Sequence, residues 1–161
     1  NLLNRTSSMA RRWFEEGVPP AGAGNSEDHP LAEASAAARQ TVLASLEVLD
    51  FRSAAEAALH LAIAANGYLN EQAPWSRMKQ EGTREQVAAD LYAVLEAARI
   101  VALLLAPLLP ELSGRMLQQL GQPEPCAGHW EAALGWGGLQ PGATLPEPSP
   151  VMARLELDGP L

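Results

Sequence analysis

Four residue groups have the types and spacing to do chemistry. Pro74 and Trp75 open the run "PWSRMK", so an indole follows a helix-ending proline and cations come directly after it. An exposed aromatic beside cations is suited to gripping an unstacked base, whereas burial as a core plug is the ordinary fate of tryptophan. Both readings stand on the residues alone. Asn1, Arg5, Ser8 and Arg12 recur at helical intervals along "NLLNRTSSMARRWF" and form one polar stripe. An asparagine amide can both donate to and accept from one base edge, and a guanidinium can bridge phosphate or base acceptors; a solvated helix face has the same pattern. Cys126-Ala-Gly-His129 has the spacing of half a zinc site, but no second cysteine completes a tetrahedral ligand set. "GAGN" lacks the strand and the Lys-Ser/Thr pair of a phosphate loop. No hydrolytic triad can be nominated, so the expectation is no catalytic residue and no metal.

The elements that must position these groups read as helices. Of 161 residues 47% are hydrophobic but only 5% aromatic, and alanine and leucine, both strong helix formers, dominate. The expected fold is all-α, an antiparallel bundle of about five helices over 1–121, with a Pro/Gly-rich irregular tail over 122–161 packed back on it. The first helix should bury Leu2, Thr6, Met9 and Trp13, flanked by Leu3, Ala10 and Phe14. A second should run from Leu31 to Leu49 with Val42, Leu43, Leu46 and Leu49 inward. The third starts near a cap at Asp50 or Ser53 and stops at Pro74. A polar link, "SRMKQEGT", then leads to Thr83 as the N-cap of a long apolar helix that Pro107 should kink or end. Pro110 opens a shorter helix and Gly121 closes it. In the tail, Trp130 and Trp136 are expected as anchors, with room for a short strand.

The net charge of −8 disfavours a general polyanion binder. Two basic spots stand out, however: Arg5, Arg11 and Arg12 in an acid-free first helix, and Arg77, Lys79 and Arg84 after the tryptophan. Such a distribution fits contact with nucleic acid at one defined place. The lone cysteine suits a reducing compartment. The most apolar run, "LYAVLEAARIVALLLAPLLP", carries Glu96 and Arg99, which marks a buried helix rather than a bilayer span.

Four stretches together, "NLLNRTSSMARRWF", "NGYLNEQAPWSRMK", "RIVALLLAPLLPELSGRMLQQLG" and "WEAALGWGGLQPGATLPEPSPVMARLEL", resemble the C-terminal anticodon-binding domain of bacterial-type methionyl-tRNA synthetases, class I enzymes, in order along essentially the whole chain. The resemblance implies a helical bundle that reads the methionine anticodon. It implies that Asn1 and Arg5 choose among bases, that Pro74 and Trp75 form the stacking platform, and that Arg12, Arg77 and Lys79 are candidate phosphate contacts. Arg77 stands where the family commonly has leucine, and Pro150-Val151-Met152 replaces its closing Pro-Leu-Phe. The His-x-Gly-His and Lys-Met-Ser-Lys-Ser signatures are absent, so this stretch is expected to hold no cofactor. ATP and magnesium would belong to a longer, cytoplasmic parent that attaches methionine to its tRNA. The expected partners are the methionine tRNA and the catalytic domain of the same polypeptide, without DNA or membrane. The competing expectations are the helical domain of a related class I synthetase and a helical protein-interaction module.

Overall fold

The computed structural model describes residues 1–15, 17–123 and 130–152. Cys126 and His129 lie outside the described residues. All regular elements among those described are helices: α1 (Leu2–Trp13), a 3-10 turn at Gly22–Asn25, α2 (Pro30–Glu47), α3 (Phe51–Gln72), the single turn α4 (Pro74–Arg77), α5 (Arg84–Leu105), α6 (Pro110–Gln119) and the short α7 (Trp130–Ala133). The expected all-α fold is the one observed. In place of a short strand the described residues of the tail make one antiparallel bridge, Gly17 to Thr144, flanked by Val18 N–H to Ala143 O (2.8 Å) and Gly142 N–H to Val18 O (2.8 Å).

α5 is the axis of the bundle. Every residue from Val87 to Leu105 is buried, as a helix apolar on all sides requires. α2 and α3 form a helical hairpin, and α1, α2, α3, α4, α6 and the 3-10 turn all pack on α5. Alanines at 54, 57, 58 and 65 on α3 allow close approach of the neighbouring helices. The 3-10 turn comes closest: a Cβ at Gly24 would sit 2.2 Å from the Ala89 carbonyl oxygen, which leaves glycine as the residue that fits there. Leu3, Ala10, Tyr92, Leu95, Leu120, Leu139 and Leu145 belong to a second cluster, where α1 and the tail meet α5. Among the described residues no helix is long and apolar enough to cross a membrane.

Three local expectations change. Leu49 is 72% exposed rather than buried, because α2 ends at Glu47 and the backbone turns left-handed at Leu49 (φ 59°). α1 buries Leu3, Thr6, Ser7 and Ala10, so its inward face is rotated from the predicted stripe, and Leu2, Met9, Trp13 and Phe14 pack at its margin. Thr83 occupies the first cap of α5, but its hydroxyl donates backwards to the carbonyls of Arg77 (2.5 Å) and Gln80 (3.0 Å) instead of accepting from the helix. Asp50 does cap α3, accepting from Ser53 N–H at 3.0 Å.

The tail is held to α5 by a buried ion pair. Glu96 and Arg99 share hydrogen bonds of 2.5–3.1 Å, and Glu96 also accepts the N–H groups of Gly137 (2.8 Å), Gly138 (2.9 Å) and Leu139 (3.0 Å). Arg99 donates in turn to the carbonyls of Ala133 (2.7 Å) and Gly135 (2.6 Å). The two anticipated anchors act through their indole N–H groups: Trp130 donates to Leu103 O (2.6 Å) and Trp136 to Gly24 O (3.2 Å). Burial beside the Glu96 charge pushes the Tyr92 phenol up to about 12, so its hydroxyl stays protonated and donates to Leu139 O (3.0 Å).

Candidate nucleic-acid interface

The corner after α3 is built by one alanine. Ala73 is left-handed (φ 43°, ψ 56°), ends α3 by donating to Leu69 O (3.1 Å), and accepts the N–H groups of Ser76 (2.9 Å) and Arg77 (3.2 Å) that start α4. Pro74 is buried at the first position of α4, where its missing N–H costs nothing. The chain therefore breaks helix at a single left-handed residue and continues as a new helical turn, where the sequence suggested only a polar link. That turn lifts Trp75 to the surface, 38% exposed.

α1 brings the second half of the site to the same corner. The Arg5 guanidinium carbon lies 5.6 Å from the centre of the Trp75 ring, within cation–π range. Its Nη2 reaches toward Asn70 Oδ1 at 3.5 Å, the long limit of a hydrogen bond. Asn1 stands one turn before Arg5, exposed; its carbonyl accepts from Arg5 N–H (3.0 Å) while its side-chain amide makes no cap bond. An indole face and a guanidinium thus share one surface, with the Asn70 amide at the guanidinium and the Asn1 amide one helical turn before it.

The basic residues distribute more widely than their spacing suggested. Arg12 and Lys79 are exposed, with no side-chain partner among the described residues. Arg11 donates to Leu145 O, and Arg84 donates to Trp13 O (2.5 Å) with its guanidinium carbon 4.8 Å from the Phe14 ring. Arg77 turns inward: its Nη1 donates to Asp90 Oδ2 (2.7 Å) and Gln72 Oε1 (2.9 Å), leaving the side chain 26% exposed. Asn70 and Asp90 are the two site residues that sequence reasoning passed over. The available signal for Asp90 was a lone acid in the apolar run "VAADLYAV", since acids are rarely buried without partners.

Asp90 continues into a relay. Tyr68 O–H donates to Asp90 Oδ1 (2.8 Å), and His29 Nε2 lies 3.1 Å from the Tyr68 oxygen. His29 Nδ1 accepts Leu31 N–H (3.1 Å), capping α2, so the ring is neutral with its proton on Nε2. Burial lowers the His29 pKa below 6.5, and the Asp90 charge offsets this only in part. Because the folded value lies below the unfolded one, the unfolded chain binds the proton more tightly. The stabilisation from neutral His29 is complete above 6.5 and is lost as pH falls from there through the lowered folded value. Melting temperature should therefore fall between about pH 7 and about pH 5, and less steeply in His29→Asn, which keeps a capping acceptor without a proton to gain. Parallel pH profiles of the two proteins would refute this.

A helical bundle with an exposed indole, a cation over it and amides alongside has the chemistry by which proteins grip splayed bases of RNA loops. The family model for the anticodon binding domain of methionyl tRNA ligase matches residues 18–158. A methionine–tRNA ligase of Synechocystis is 35% identical over 98% of this chain and 31% of its own length. The chloroplastic/mitochondrial methionine–tRNA ligase of Arabidopsis thaliana is likewise 35% identical, over 98% of this chain and 26% of its own. The apo crystal structure of Mycobacterium tuberculosis methionyl-tRNA synthetase superposes with a TM-score of 0.84 at 30% identity, covering 98% of this chain and 32% of that one. The same enzyme bound by methionyl-adenylate gives a TM-score of 0.80 at 30% identity, over 94% of this chain and 30% of that one. The chain belongs to the family of methionyl-tRNA ligase anticodon-binding domains. It spans 26–31% of the length of these two curated relatives.

Proposed function

We propose that this domain selects the methionine tRNA by its anticodon loop, with Trp75 as the platform for an unstacked base. Asn1 and Arg5 read base edges beside that platform, and Arg12 and Lys79 meet phosphates. Arg77, tied inward to Asp90, is assigned to holding the corner in place of the phosphate contact first expected of it. Buried Pro74 fixes the start of the turn. The observation that carries this reading is the Arg5 guanidinium set over a partly exposed Trp75 ring at the end of the bundle.

The same reading makes the domain a part of a methionine–tRNA ligase whose catalytic domain lies in the same polypeptide. That catalytic domain would bind ATP and magnesium and form the adenylate, consistent with the M. tuberculosis relative bound by methionyl-adenylate. A cytoplasmic setting is proposed with it; the Arabidopsis relative is named for the chloroplast and mitochondrion.

Binding to a methionine anticodon stem-loop, measured across a salt series, tests the proposal. Affinity should fall with rising salt as counterions are released, and a stem-loop with a changed anticodon should bind more weakly by ~1–3 kcal/mol per altered base contact. Equal binding of both stem-loops would remove the selective role.

A further inference from the structure

Asp90 is 1% exposed on the central helix, yet none of the proposed base contacts uses it. It accepts three hydrogen bonds, from Arg77 (2.7 Å), Tyr68 (2.8 Å) and Gln86 Nε2 (3.1 Å). Burying a carboxylate beside a half-buried guanidinium is a costly way to hold a helix packing that apolar side chains would hold as well, which points to a demand beyond stability.

That demand lies in α4. The turn that presents Trp75 is four residues long and begins at a left-handed alanine. A single helical turn fixes several dihedral angles for very few hydrogen bonds, so it does not persist by itself. Buried Pro74 and partly buried Met78 flank it, and the side chain of Arg77, its last residue, ties it to α5. Arg77 follows Trp75 by two positions, about 200° around the turn, so the bond that draws Arg77 inward to Asp90 goes with an indole set on the outward side. The Asp90 carboxylate is itself fixed from the other side by Tyr68, which His29 orients from the start of α2, and His29 stacks on Trp136 of the tail (6.2 Å, 15° between planes).

We infer that Asp90 is a positioning residue for anticodon recognition: acting through Arg77, it locks the α4 turn in the orientation that holds the Trp75 ring out beside Arg5. The inference rests on the base-platform reading of Trp75. It does not make Asp90 a contact of the RNA.

The test compares Asp90→Asn, Arg77→Met, their double variant and Trp75→Ala with the unaltered chain, each well below its melting temperature. Two readouts are taken: affinity for the methionine anticodon stem-loop, and the 19F spectrum of chains labelled with 5-fluorotryptophan, in which Trp75→Phe assigns the Trp75 line. Asp90→Asn and Arg77→Met should each weaken binding about ten-fold, the lower part of what losing a stacked base costs. The double variant should lose no more than either single one, because both act through the same pair. The Trp75 line should shift or broaden while those of Trp13 and Trp130 stay, which a general loosening of the bundle would not produce. Native affinity and a native Trp75 line in both single variants, with Trp75→Ala still impaired, would overturn the positioning role and leave the platform reading intact. Unimpaired binding by Trp75→Ala would overturn the platform reading and the positioning role with it. If Asp90→Asn does not fold, Arg77→Met decides, since its side chain is partly exposed and Asp90 keeps Tyr68 and Gln86.

Discussion

Trp75→Ala should weaken binding of the methionine anticodon stem-loop by ~1–3 kcal/mol, roughly five- to 150-fold, and leave the bundle folded. The size follows from what the ring can offer. An indole face stacks on any base, and the Arg5 guanidinium already beside it (5.6 Å) supplies a cation to the same contact. The spared stability follows from position: Trp75 belongs to neither hydrophobic cluster and stands on a one-turn helix outside both. Trp75→Phe, with a smaller face in the same place, should fall between. Isothermal titration of the three proteins, with thermal melts of each, separates the two contributions. A variant that melts early and binds normally when folded would make Trp75 a plug for the corner rather than a platform.

The end of α3 could be read from the sequence because Pro74 forbids its continuation, whereas the geometry of the corner could not. Ala73 adopts a left-handed conformation that alanine rarely takes, and no residue type announces it. The exposure of Trp75 was likewise undecidable from its neighbours, because the guanidinium that covers part of it comes from α1. Arg77 shows the reverse case. Beside Trp75 and Lys79 it reads as one member of a basic cluster, and only the packing of α4 against α5 gives it Asp90. The long apolar run of α5 was plain as a buried helix. What its charges were for was not, since the partners of Glu96 are backbone amides in an irregular tail with no helical period. Leu49 illustrates the limit of periodicity, which continues in the residue types after the backbone has already turned away.

Glu96→Ala should be the most damaging single substitution for stability, costing ~3–5 kcal/mol. Against a domain stability of roughly 5–15 kcal/mol this is enough to unfold a visible fraction of molecules at ambient temperature. Three losses coincide. Arg99 keeps its charge, 4% exposed, without a counterion. The N–H groups of Gly137, Gly138 and Leu139 lose the one carboxylate that accepts all three. The tail leaves α5, and with it the cover that Leu139 and Leu145 give Tyr92 and Leu95. Replacing a buried ion pair by apolar residues of similar volume is often neutral, which supplies a sharper form of the test. In Glu96→Leu/Arg99→Met the unpaired charge is gone, but the three amides and the carbonyls of Ala133 and Gly135 lose their partners; the cost is about 1–3 kcal/mol for the buried Leu139 N–H and less for the groups of exposed Gly135 and Gly138, which water can reach. The double substitution should therefore stay well below the unaltered chain in denaturant midpoint, with faster hydrogen exchange at residues 137–139. Recovery of full stability in the double variant would reduce Glu96 and Arg99 to an ordinary ion pair. Persistent loss would identify their role as closing the backbone hydrogen bonds of a segment that has no secondary structure to close them itself.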